Sequence, residues 1–253
     1  MSERELPWKN ALLTGASSGL GRGLAAWLAK RGVKVYAAAR RLDQLEALKT
    51  EAGENIVPVK LDVSDASAAF DAVQKLDEQS GGLELVIANA GVGEDTRPKR
   101  LDWNSVKRMI DVNVSGATAT LTAALPAMVE RKKGHLVGIS SLAGLIPLPQ
   151  SSTYCATKAY LAMFLESLRL DVDKYGIAVT SIHPGFVKSE MTAKNKPESM
   201  PFLLETDDAV ERMGKAIARK AKVFTFPWQL SSLIALGSSL PRPIRTPILQ
   251  RLR

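Results

Sequence analysis

Short apolar runs alternate with segments of helical periodicity along most of the chain. The apolar runs predict strands at residues 10–14, 33–39, 56–61, 83–88, 135–140, 177–183 and 222–225. Apolar residues three and four positions apart predict helices at residues 21–30, 42–51, 66–79, 103–131, 154–174 and 207–220. Strand and helix in this repeated order predict an α/β fold, a doubly wound parallel sheet with helices on both faces.

Length and composition fit one globular domain. The 253 residues include 45% hydrophobic and 24% charged residues, which is ordinary for a soluble globular protein. No internal repeat or linker divides the chain, so we predict a single domain over residues 1–253. The single cysteine, Cys155, cannot form an internal disulfide, and residues 1–9 have no apolar signal sequence. We therefore expect a cytoplasmic protein.

A surplus of positive charge lies at the C-terminal end. Residues 212–253 contain nine Lys or Arg and no Asp or Glu; since the whole chain carries +8, the first 211 residues carry −1. An apolar, Trp-bearing run at 224–240 lies within the same segment. Three interpretations of this basic and apolar extension, residues 222–253, stay open. It packs on the body or a second subunit, it makes a peripheral contact with an anionic membrane, or it attracts an acidic substrate carrier.

Nucleic acid is not an expected partner of this basic segment. A nucleic-acid-binding fold would add a recognition motif or interleaved aromatic residues to the charge, and the sequence has neither.

Ligands of a doubly wound sheet bind beyond the carboxyl ends of its strands. The segments that directly follow the predicted strands are 15–21, Arg40, Asp62, 89–91, 140–141 and 184–185. Because parallel strands all end at the same edge of a sheet, we expect these segments to meet there. That edge is the predicted binding site.

A glycine-rich turn joins the first predicted strand to the first helix. It reads Thr-Gly-Ala-Ser-Ser-Gly-Leu-Gly over residues 14–21. Glycines let the backbone turn tightly and approach a pyrophosphate, whose charge a helix N-terminus favours. This position between strand and helix is the one that a dinucleotide-binding, Rossmann-type sheet requires. A purely structural turn is the alternative.

The spacing of Gly15, Gly19 and Gly21 resembles that of the short-chain dehydrogenase/reductase family. Further motifs follow in the family's order across residues 14–189, namely Asn89-Ala90-Gly91, Ser141, Tyr154-Cys155-Ala156-Thr157-Lys158 and Pro184-Gly185. The resemblance implies a single-domain, nicotinamide-dependent oxidoreductase of the shorter branch. Its substrate would be a small-molecule carbonyl or alcohol, and we expect a homo-oligomer.

The resemblance also assigns residues to the cofactor. They are Gly15, Ser17, Ser18, Gly19, Leu20 and Gly21 in the glycine turn, Asp62, Val63, Asn89, Ala90 and Gly91 on the adenosine side, and Tyr154, Lys158, Pro184, Gly185, Val187 and Ser189 on the nicotinamide side. Ser189 stands where the family commonly has Thr, which keeps a hydroxyl for the nicotinamide carboxamide. Asp62 has a second interpretation, as a helix cap before Ser64 and Asp65.

One family feature is missing from the C-terminal end. The Val-Asp-Gly-Gly type of turn that ends many shorter members is absent. Residues 222–253 therefore need not make the family's usual oligomer contacts.

The end of the second predicted strand favours NADP(H) as the cofactor. An acid there would bind the ribose hydroxyls of NAD, but Arg40 follows the strand and no acid occurs before Asp43. A guanidinium instead pairs with the additional phosphate of NADP. Arg41 and Arg22 are candidate helpers, and solvated surface arginines are the alternative.

Tyr154 and Lys158 are four residues apart and share one face of a helix. A nearby ammonium favours the phenolate, so we expect Lys158, together with the positive nicotinamide, to bring the Tyr154 pKa down to about 7. By resemblance, Tyr154 is the general acid/base, Ser141 steadies the substrate oxygen and Lys158 also holds the nicotinamide ribose. The family places Asn113 in a water-mediated proton relay, while a cap or kink inside a helix is its structural alternative. The predicted catalytic residues are thus Asn113, Ser141, Tyr154 and Lys158.

Other functions are weighed against this one. A catalytically idle nucleotide-binding protein that acts through partners would be expected to lack the Tyr or the Lys, and both are present. Epimerases and dehydratases of the extended family need a second substrate domain. His135 and His183 lie far apart in sequence beside strands, so packing is preferred and no metal site is predicted.

The substrate class stays open at this point. Residues 142–149 and a predicted lid at 190–204 are rich in apolar residues, which predicts an apolar cleft. Lipid, steroid, acyl thioester and xenobiotic carbonyl compounds all fit that description.

Overall fold

A computed structural model describes residues 6–94, 96–193 and 195–251. Residues 1–5 of the predicted domain, Lys194 of the predicted lid, and Leu252 and Arg253 of the basic extension lie outside the described residues.

Seven parallel strands form one sheet in the spatial order β3-β2-β1-β4-β5-β6-β7. Their bounds are β1 Asn10–Thr14, β2 Lys34–Ala39, β3 Ile56–Lys60, β4 Leu85–Ala88, β5 Gly134–Ile139, β6 Ile177–Pro184 and β7 Val223–Phe226. The strand order reverses between β1 and β4, which is the point where ligands bind in such sheets. The predicted doubly wound α/β fold is confirmed.

Ten α-helices surround the sheet among the residues that the structure describes. Their bounds are α1 Gly19–Ala29, α2 Leu42–Ala52, α3 Ala66–Gln79, α4 Trp103–Ile110, α5 Ala117–Ala123, α6 Leu125–Glu130, α7 Ser152–Val172, α8 Thr206–Ala218, α9 Trp228–Ser239 and α10 Arg242–Gln250. Two apolar clusters fill the space on either side of the sheet. One holds side chains of α1, α2 and α8, and the other holds side chains of α3, α5 and α7. Both faces are buried, which explains the near-continuous apolar strands.

The single helix predicted at 103–131 is wrong in detail. It is divided into α4, a π-helical turn at Asp111–Gly116, α5 and α6. The turn packs closely on the chain after β3, because a Cβ added at Gly116 would lie 2.2 Å from the carbonyl oxygen of Val63. By length and composition the whole stretch Trp103–Glu130 could cross a bilayer, but 56% of its most apolar window is buried inside the protein, as in a core helix.

Helix α9 contacts the body by one side. Ser238 of α9 donates a hydrogen bond to the carbonyl of Leu145, and a Cβ at Gly185 would lie 3.0 Å from Leu230 Cδ2. The opposite side of α9 faces solvent, with Trp228 69% and Leu236 64% exposed. Packing on the body therefore accounts for one side of this helix and leaves the other exposed.

Candidate active site

The glycine turn between β1 and α1 has the backbone conformation that its sequence predicts. Gly15 and Gly19 have φ of +72° and +53°, a region that favours glycine. A Cβ at Gly21 would lie 2.1 Å from the carbonyl oxygen of Gly15, so the turn closes directly on the helix. No acidic residue lies in the first turn of α1, which leaves its positive end open to an anion.

Asn89, after β4, holds the glycine turn in place. Its Nδ2 donates to the carbonyl oxygens of Thr14 at 3.0 Å and of Gly15 at 3.3 Å. The hydroxyl of Thr14 in turn accepts from the backbone amides of Asn89 at 3.2 Å and Ala90 at 3.3 Å. The sequence analysis did not assign this contact to Thr14, because a Thr at the end of a strand has no distinctive sequence signal. The structure therefore gives Asn89 a positioning role in the turn.

Arg41, rather than Arg40, contacts the glycine turn. Its Nη2 donates to Ser18 Oγ at 2.9 Å and Ser17 Oγ at 3.1 Å, and it forms an ion pair with Glu190 at 3.1 Å. Arg40 is exposed, as is expected where adjacent side chains leave a strand end on opposite sides. The guanidinium beside the turn is therefore that of the residue first predicted as a helper.

Arg22 is held on the side of α2. Its guanidinium pairs with Glu51 at 2.7 Å and donates to the carbonyl of Gln44 at 2.8 Å. It lines a cavity of about 480 Å³ outside the glycine turn, together with Ser17, Ser18, Gly19, Gly23, Ala26, Gln44, Leu48, Glu51, Ser189, Glu190, Thr206 and Asp207. Arg22 thus reaches this cavity with its charge already paired.

Asp62 does not cap the helix that follows. Its Oδ1 accepts from the amide and hydroxyl of Ser64, whereas Asp65 accepts from Ala68 and is the N-cap of α3. Burial raises the pKa of Asp62, but the Ser64 hydrogen bonds and the charge of Arg40 outweigh this and lower it overall. The helix-cap interpretation of Asp62 is wrong, because the carboxylate of Asp65, three residues later, caps the helix.

Asn113 lies in the π-helical turn, buried at 1% exposure. Its Oδ1 accepts from the amide of Val92 at 2.8 Å, and its Nδ2 donates to the carbonyl of Val92 at 2.8 Å and to Thr157 Oγ1 at 3.1 Å. The side chain thereby ties α7 to the loop after β4. A π-helical turn often marks a functional position, because it redirects backbone groups out of the regular helix.

Tyr154 and Ser141 meet at the centre of the strand-end edge. Burial raises the Tyr154 pKa, and the Ser141 hydroxyl beside the phenol opposes that rise. Ser141 Oγ also accepts from the amide of Ala143 at 3.1 Å. In the protein chain by itself the net direction is a raised Tyr154 pKa. The expected lowering also depends on the positive nicotinamide and stays a prediction. Lys158 Nζ lies 5.8 Å from the centroid of the phenol ring.

Lys158 is itself almost fully buried, at 4% exposure. Nζ donates to the carbonyl of Ile139 at 2.9 Å, and burial lowers the Lys158 pKa from 10.5 to about 8. A Cβ at Gly91 would lie 3.3 Å from this Nζ, and one at Gly93 would lie 3.5 Å from the Tyr154 ring. The two glycines leave a cradle beside the Tyr–Lys pair, which fits a flat ring held against Lys158.

The end of β6 closes the site on its other side. The carbonyl of Pro184 accepts from Ser141 Oγ at 3.4 Å, and the amide of Gly185 donates to the carbonyl of Phe226 at 2.7 Å. A Cβ at Gly19 would lie 3.4 Å from Ser189 Cβ, which brings this segment to the glycine turn. Val187 is buried and pairs with Leu204, so it anchors the two ends of the predicted lid.

His183 supports the backbone of Ser141, a role that the sequence analysis did not predict. Its ring bonds Ser181 Oγ at 2.8 Å and the carbonyl of Ser141 at 3.4 Å. Burial lowers its pKa, and the hydrogen bond with Ser141 opposes this. A neutral imidazole therefore braces the backbone that carries the Ser141 hydroxyl.

Comparison with known proteins places these observations in a family. The short chain dehydrogenase family matches residues 9–199. A protein of Myxococcus xanthus described as an uncharacterized oxidoreductase is 55% identical over 252 residues, which cover 98% of this chain and 99% of that protein. The NADP-dependent 3-hydroxy acid dehydrogenase of Salmonella typhi is 37% identical over 180 residues, or 70% of this chain and 71% of that protein.

Solved structures agree with the sequence comparison. A short-chain dehydrogenase from Sphingobium yanoikuyae in complex with NADPH superposes with a TM-score of 0.80 and 25% identity, covering 92% of this chain and 96% of that chain. A 3-ketoacyl-(acyl-carrier-protein) reductase from Brucella melitensis complexed with NADH has a TM-score of 0.78 and 25% identity, covering 86% of this chain and 95% of that chain.

Proposed function

The chain belongs to the short-chain dehydrogenase/reductase family, and on that premise we propose that it transfers hydride between NADP(H) and a carbonyl or alcohol substrate. The observation that carries the proposal is the placement of the Tyr154 ring 5.8 Å from Nζ of the buried Lys158, with the Ser141 hydroxyl beside the phenol. A catalytically idle nucleotide-binding protein would not need a phenol, a hydroxyl and an ammonium brought together in a pocket. Such groups with shifted pKa values support a site of chemistry.

Each side chain has a defined task in the proposed reaction. In the reductive direction the Tyr154 hydroxyl donates its proton to the carbonyl oxygen as that oxygen gains charge, and Ser141 donates a hydrogen bond to the same oxygen. A nicotinamide held beside Tyr154 and Lys158 would supply the hydride chemistry of the reaction. Lys158, in its charged form, stabilises the phenolate left on Tyr154. Asn113 positions the helix that carries both residues, and its proposed place in a water-mediated relay rests on the family resemblance.

Cofactor binding is assigned to the strand-end edge. The glycine turn, with Gly15, Gly19 and Gly21, would hold the pyrophosphate at the N-terminus of α1. The contacts of Arg41 with Ser17 and Ser18 support NADP(H) over NAD(H), since they gather a guanidinium and two hydroxyls beside that turn. Arg40 is proposed as a second, outer positive charge.

Calorimetric titration tests the cofactor preference. We expect NADPH to bind at least about tenfold tighter than NADH, because one charge-assisted bond contributes about 1.5 to 3 kcal/mol. Arg41→Ala should narrow that difference more than Arg40→Ala does. Equal affinities of the wild-type protein for the two cofactors would contradict the preference.

An apolar substrate is proposed from the lining of the cleft. Leu145 and Met191 are 40% and 47% exposed, and Met191 Sδ would lie 3.6 Å from a Cβ at Gly93, next to the Tyr154 ring. Phe202 of the lid is 46% exposed. A panel of carbonyl and alcohol compounds, read by cofactor absorbance, tests activity and substrate class together. If no compound in a broad panel of apolar and polar carbonyls is turned over, the idle nucleotide-binding alternative replaces this proposal.

A homo-oligomer is proposed from an exposed apolar stripe on α7. Met163 and Leu170 are 65% and 79% exposed and seven residues apart on one helix face, and Trp103 of α4 is 67% exposed. Apolar patches of this kind on a protein surface mark contact sites. Sedimentation at two protein concentrations tests the oligomer, and Leu170→Glu should shift it toward the monomer.

A peripheral membrane contact of a cytoplasmic protein is proposed for the C-terminal extension. The outward side of α9 exposes Trp228, Leu233 and Leu236, and residues 223–241 contain no charged side chain. The basic residues of α10 would attract anionic lipid by about 1 kcal/mol each. Co-sedimentation with anionic vesicles at low salt tests the contact. Absence of binding, or binding that survives truncation at Pro227, contradicts it.

A further inference from the structure

Glu190 places a carboxylate among the side chains that gather beside the glycine turn. Its two oxygens accept from Nη1 of Arg41 at 3.3 Å and from Nη2 of Arg41 at 3.1 Å. The hydroxyl of Ser18, which accepts from the same Nη2 at 2.9 Å, also lowers the Glu190 pKa. The same guanidinium donates to Ser17 Oγ through both Nε and Nη2. The hydrogen bond from Arg41 is the main cause that holds the Glu190 pKa below its ordinary value, so the carboxylate is ionised.

A guanidinium presents two edges that can each donate two hydrogen bonds, Nη1/Nη2 and Nε/Nη2. A carboxylate and a phosphate cannot occupy the same edge at once. In Arg41 the Nη1/Nη2 edge is taken by Glu190 and the Nε/Nη2 edge by Ser17 Oγ, while Nη2 also donates to Ser18 Oγ. The arrangement is that of an anion site filled by a side chain of the chain itself.

The position of Glu190 in the chain gives this contact a consequence. It follows Ser189, which packs against Gly19 of the glycine turn, and it is the first residue of the lid segment 190–204. Both partners of the ion pair are accessible, with side-chain exposures of 45% for Arg41 and 65% for Glu190. Because the ion pair is accessible, another anion can replace the Glu190 carboxylate on Arg41 without any opening of the core.

We propose that Glu190 competes with the 2′-phosphate of NADP(H) for Arg41 and Ser18, and so sets how strongly the protein discriminates between the two nicotinamide cofactors. The inference rests on the proposed function, because it requires that the phosphate binds beside the glycine turn. Binding of the phosphate displaces the carboxylate from Arg41, so the free energy needed to break the ion pair lowers the net affinity for the phosphate. Removing the charge of Glu190 therefore strengthens the binding of ligands that bear the 2′-phosphate, and of those alone.

Two fragments of the cofactor isolate the competing anions. Adenosine 2′,5′-bisphosphate carries the additional phosphate and 5′-AMP lacks it, and neither contains the nicotinamide. We expect Glu190→Gln to bind the bisphosphate about two- to fivefold tighter than the wild-type protein, the range that an accessible charge pair supports. Affinity for 5′-AMP should change by less than about twofold, since 5′-AMP has no 2′-phosphate to bind Arg41.

Glu54→Gln is the matched control for the loss of one negative charge. Glu54 is exposed and pairs with Lys49 at 3.2 Å, and it contacts neither Arg41 nor Arg22 among the described residues. Its substitution should leave the bisphosphate affinity within about twofold of the wild type. If the two variants gain equally, a general change of electrostatic potential explains the gain and the competition is overturned. A loss or no change of bisphosphate affinity in Glu190→Gln overturns it as well.

A separate variant distinguishes failure of this inference from failure of its premise. Arg41→Ala should lower the bisphosphate affinity of the wild-type chain and remove the effect of Glu190→Gln in the double variant. If Arg41→Ala leaves the bisphosphate affinity unchanged, the proposed phosphate site itself is wrong. If Arg41→Ala weakens binding and Glu190→Gln does not strengthen it, only the competition fails.

Discussion

The buried ammonium of Lys158 should make the protein less stable than a variant without it. Burial lowers the Lys158 pKa from 10.5 to about 8, which corresponds to about 3 kcal/mol that folding loses whenever the lysine is charged in both states. Lys158→Met removes this cost but leaves the carbonyl of Ile139 without its donor, which costs about 1 kcal/mol. At about pH 7 we therefore expect the variant to be about 1 to 3 kcal/mol more stable and catalytically inactive.

The pH dependence provides the sharper signature. Between about pH 8 and 10.5 the unfolded chain keeps the proton of Lys158 while the folded chain has lost it, so wild-type stability rises with pH across this window. The slope from this one group is about 1.4 kcal/mol per pH unit, and Lys158→Met lacks it. The stability difference between the two proteins should therefore shrink as pH rises from 8 and vanish near about pH 9.5. Near pH 10.5 it should be reversed by about 1 kcal/mol, because only the lost hydrogen bond to Ile139 then remains.

Urea unfolding at several pH values measures this difference. Lys215→Met is the matched control, because that lysine is 63% exposed and only pairs with Glu211 on the surface, so its substitution should change stability by less than about 0.5 kcal/mol at every pH. A Lys158→Met variant that is less stable than the wild type at about pH 7 would refute the reasoning. A stability difference that does not change with pH would refute it equally.

Two substitutions test the geometry around the cofactor turn and the π-helical turn. Gly21→Ala places a Cβ 2.1 Å from the carbonyl oxygen of Gly15, so calorimetric titration should show a loss of NADPH binding. Gly237→Ala is the control, because its Cβ would lie 3.5 Å from the nearest neighbour, and this variant should bind NADPH normally. Asn113→Ala removes two hydrogen bonds to the backbone of Val92 and a third to α7, so the free energy of unfolding in urea should fall by about 2 to 4 kcal/mol. A fall of less than about 0.5 kcal/mol would mean that these contacts are not formed in solution.

The strand and helix pattern predicted the fold well because both faces of the sheet are buried. Apolar runs then mark strands, and apolar positions three and four apart mark the helices that cover them. The helical pattern at 103–131 carried no sign of its break. The π-helical turn depends on a contact between Gly116 and Val63 that are distant in sequence, so local periodicity could not reveal it.

Within the candidate site, the motifs located residues better than they located interactions. The predicted strand-end segments meet at one edge because the strands are parallel. Which of two adjacent arginines turns toward the glycine turn depends on side-chain direction at the end of β2, and the structure selects Arg41. Burial, which sequence spacing does not reveal, raises the Tyr154 pKa of the protein chain by itself, whereas the expected lowering also depends on a bound nicotinamide.

The central claim is that the Tyr154 hydroxyl moves the substrate proton, and turnover of Tyr154→Phe tests it most directly. The substitution removes one oxygen and leaves the ring beside Gly93, so NADPH affinity should stay within about twofold of the wild type. Turnover should fall by at least about a hundredfold, the range that general acid/base catalysis supplies. Tyr160→Phe is the matched control on the same helix, since its hydroxyl is close only to Thr118 at 3.2 Å among the described residues, and it should keep full turnover. A Tyr154→Phe protein that binds NADPH and retains more than about a tenth of wild-type turnover would contradict the account.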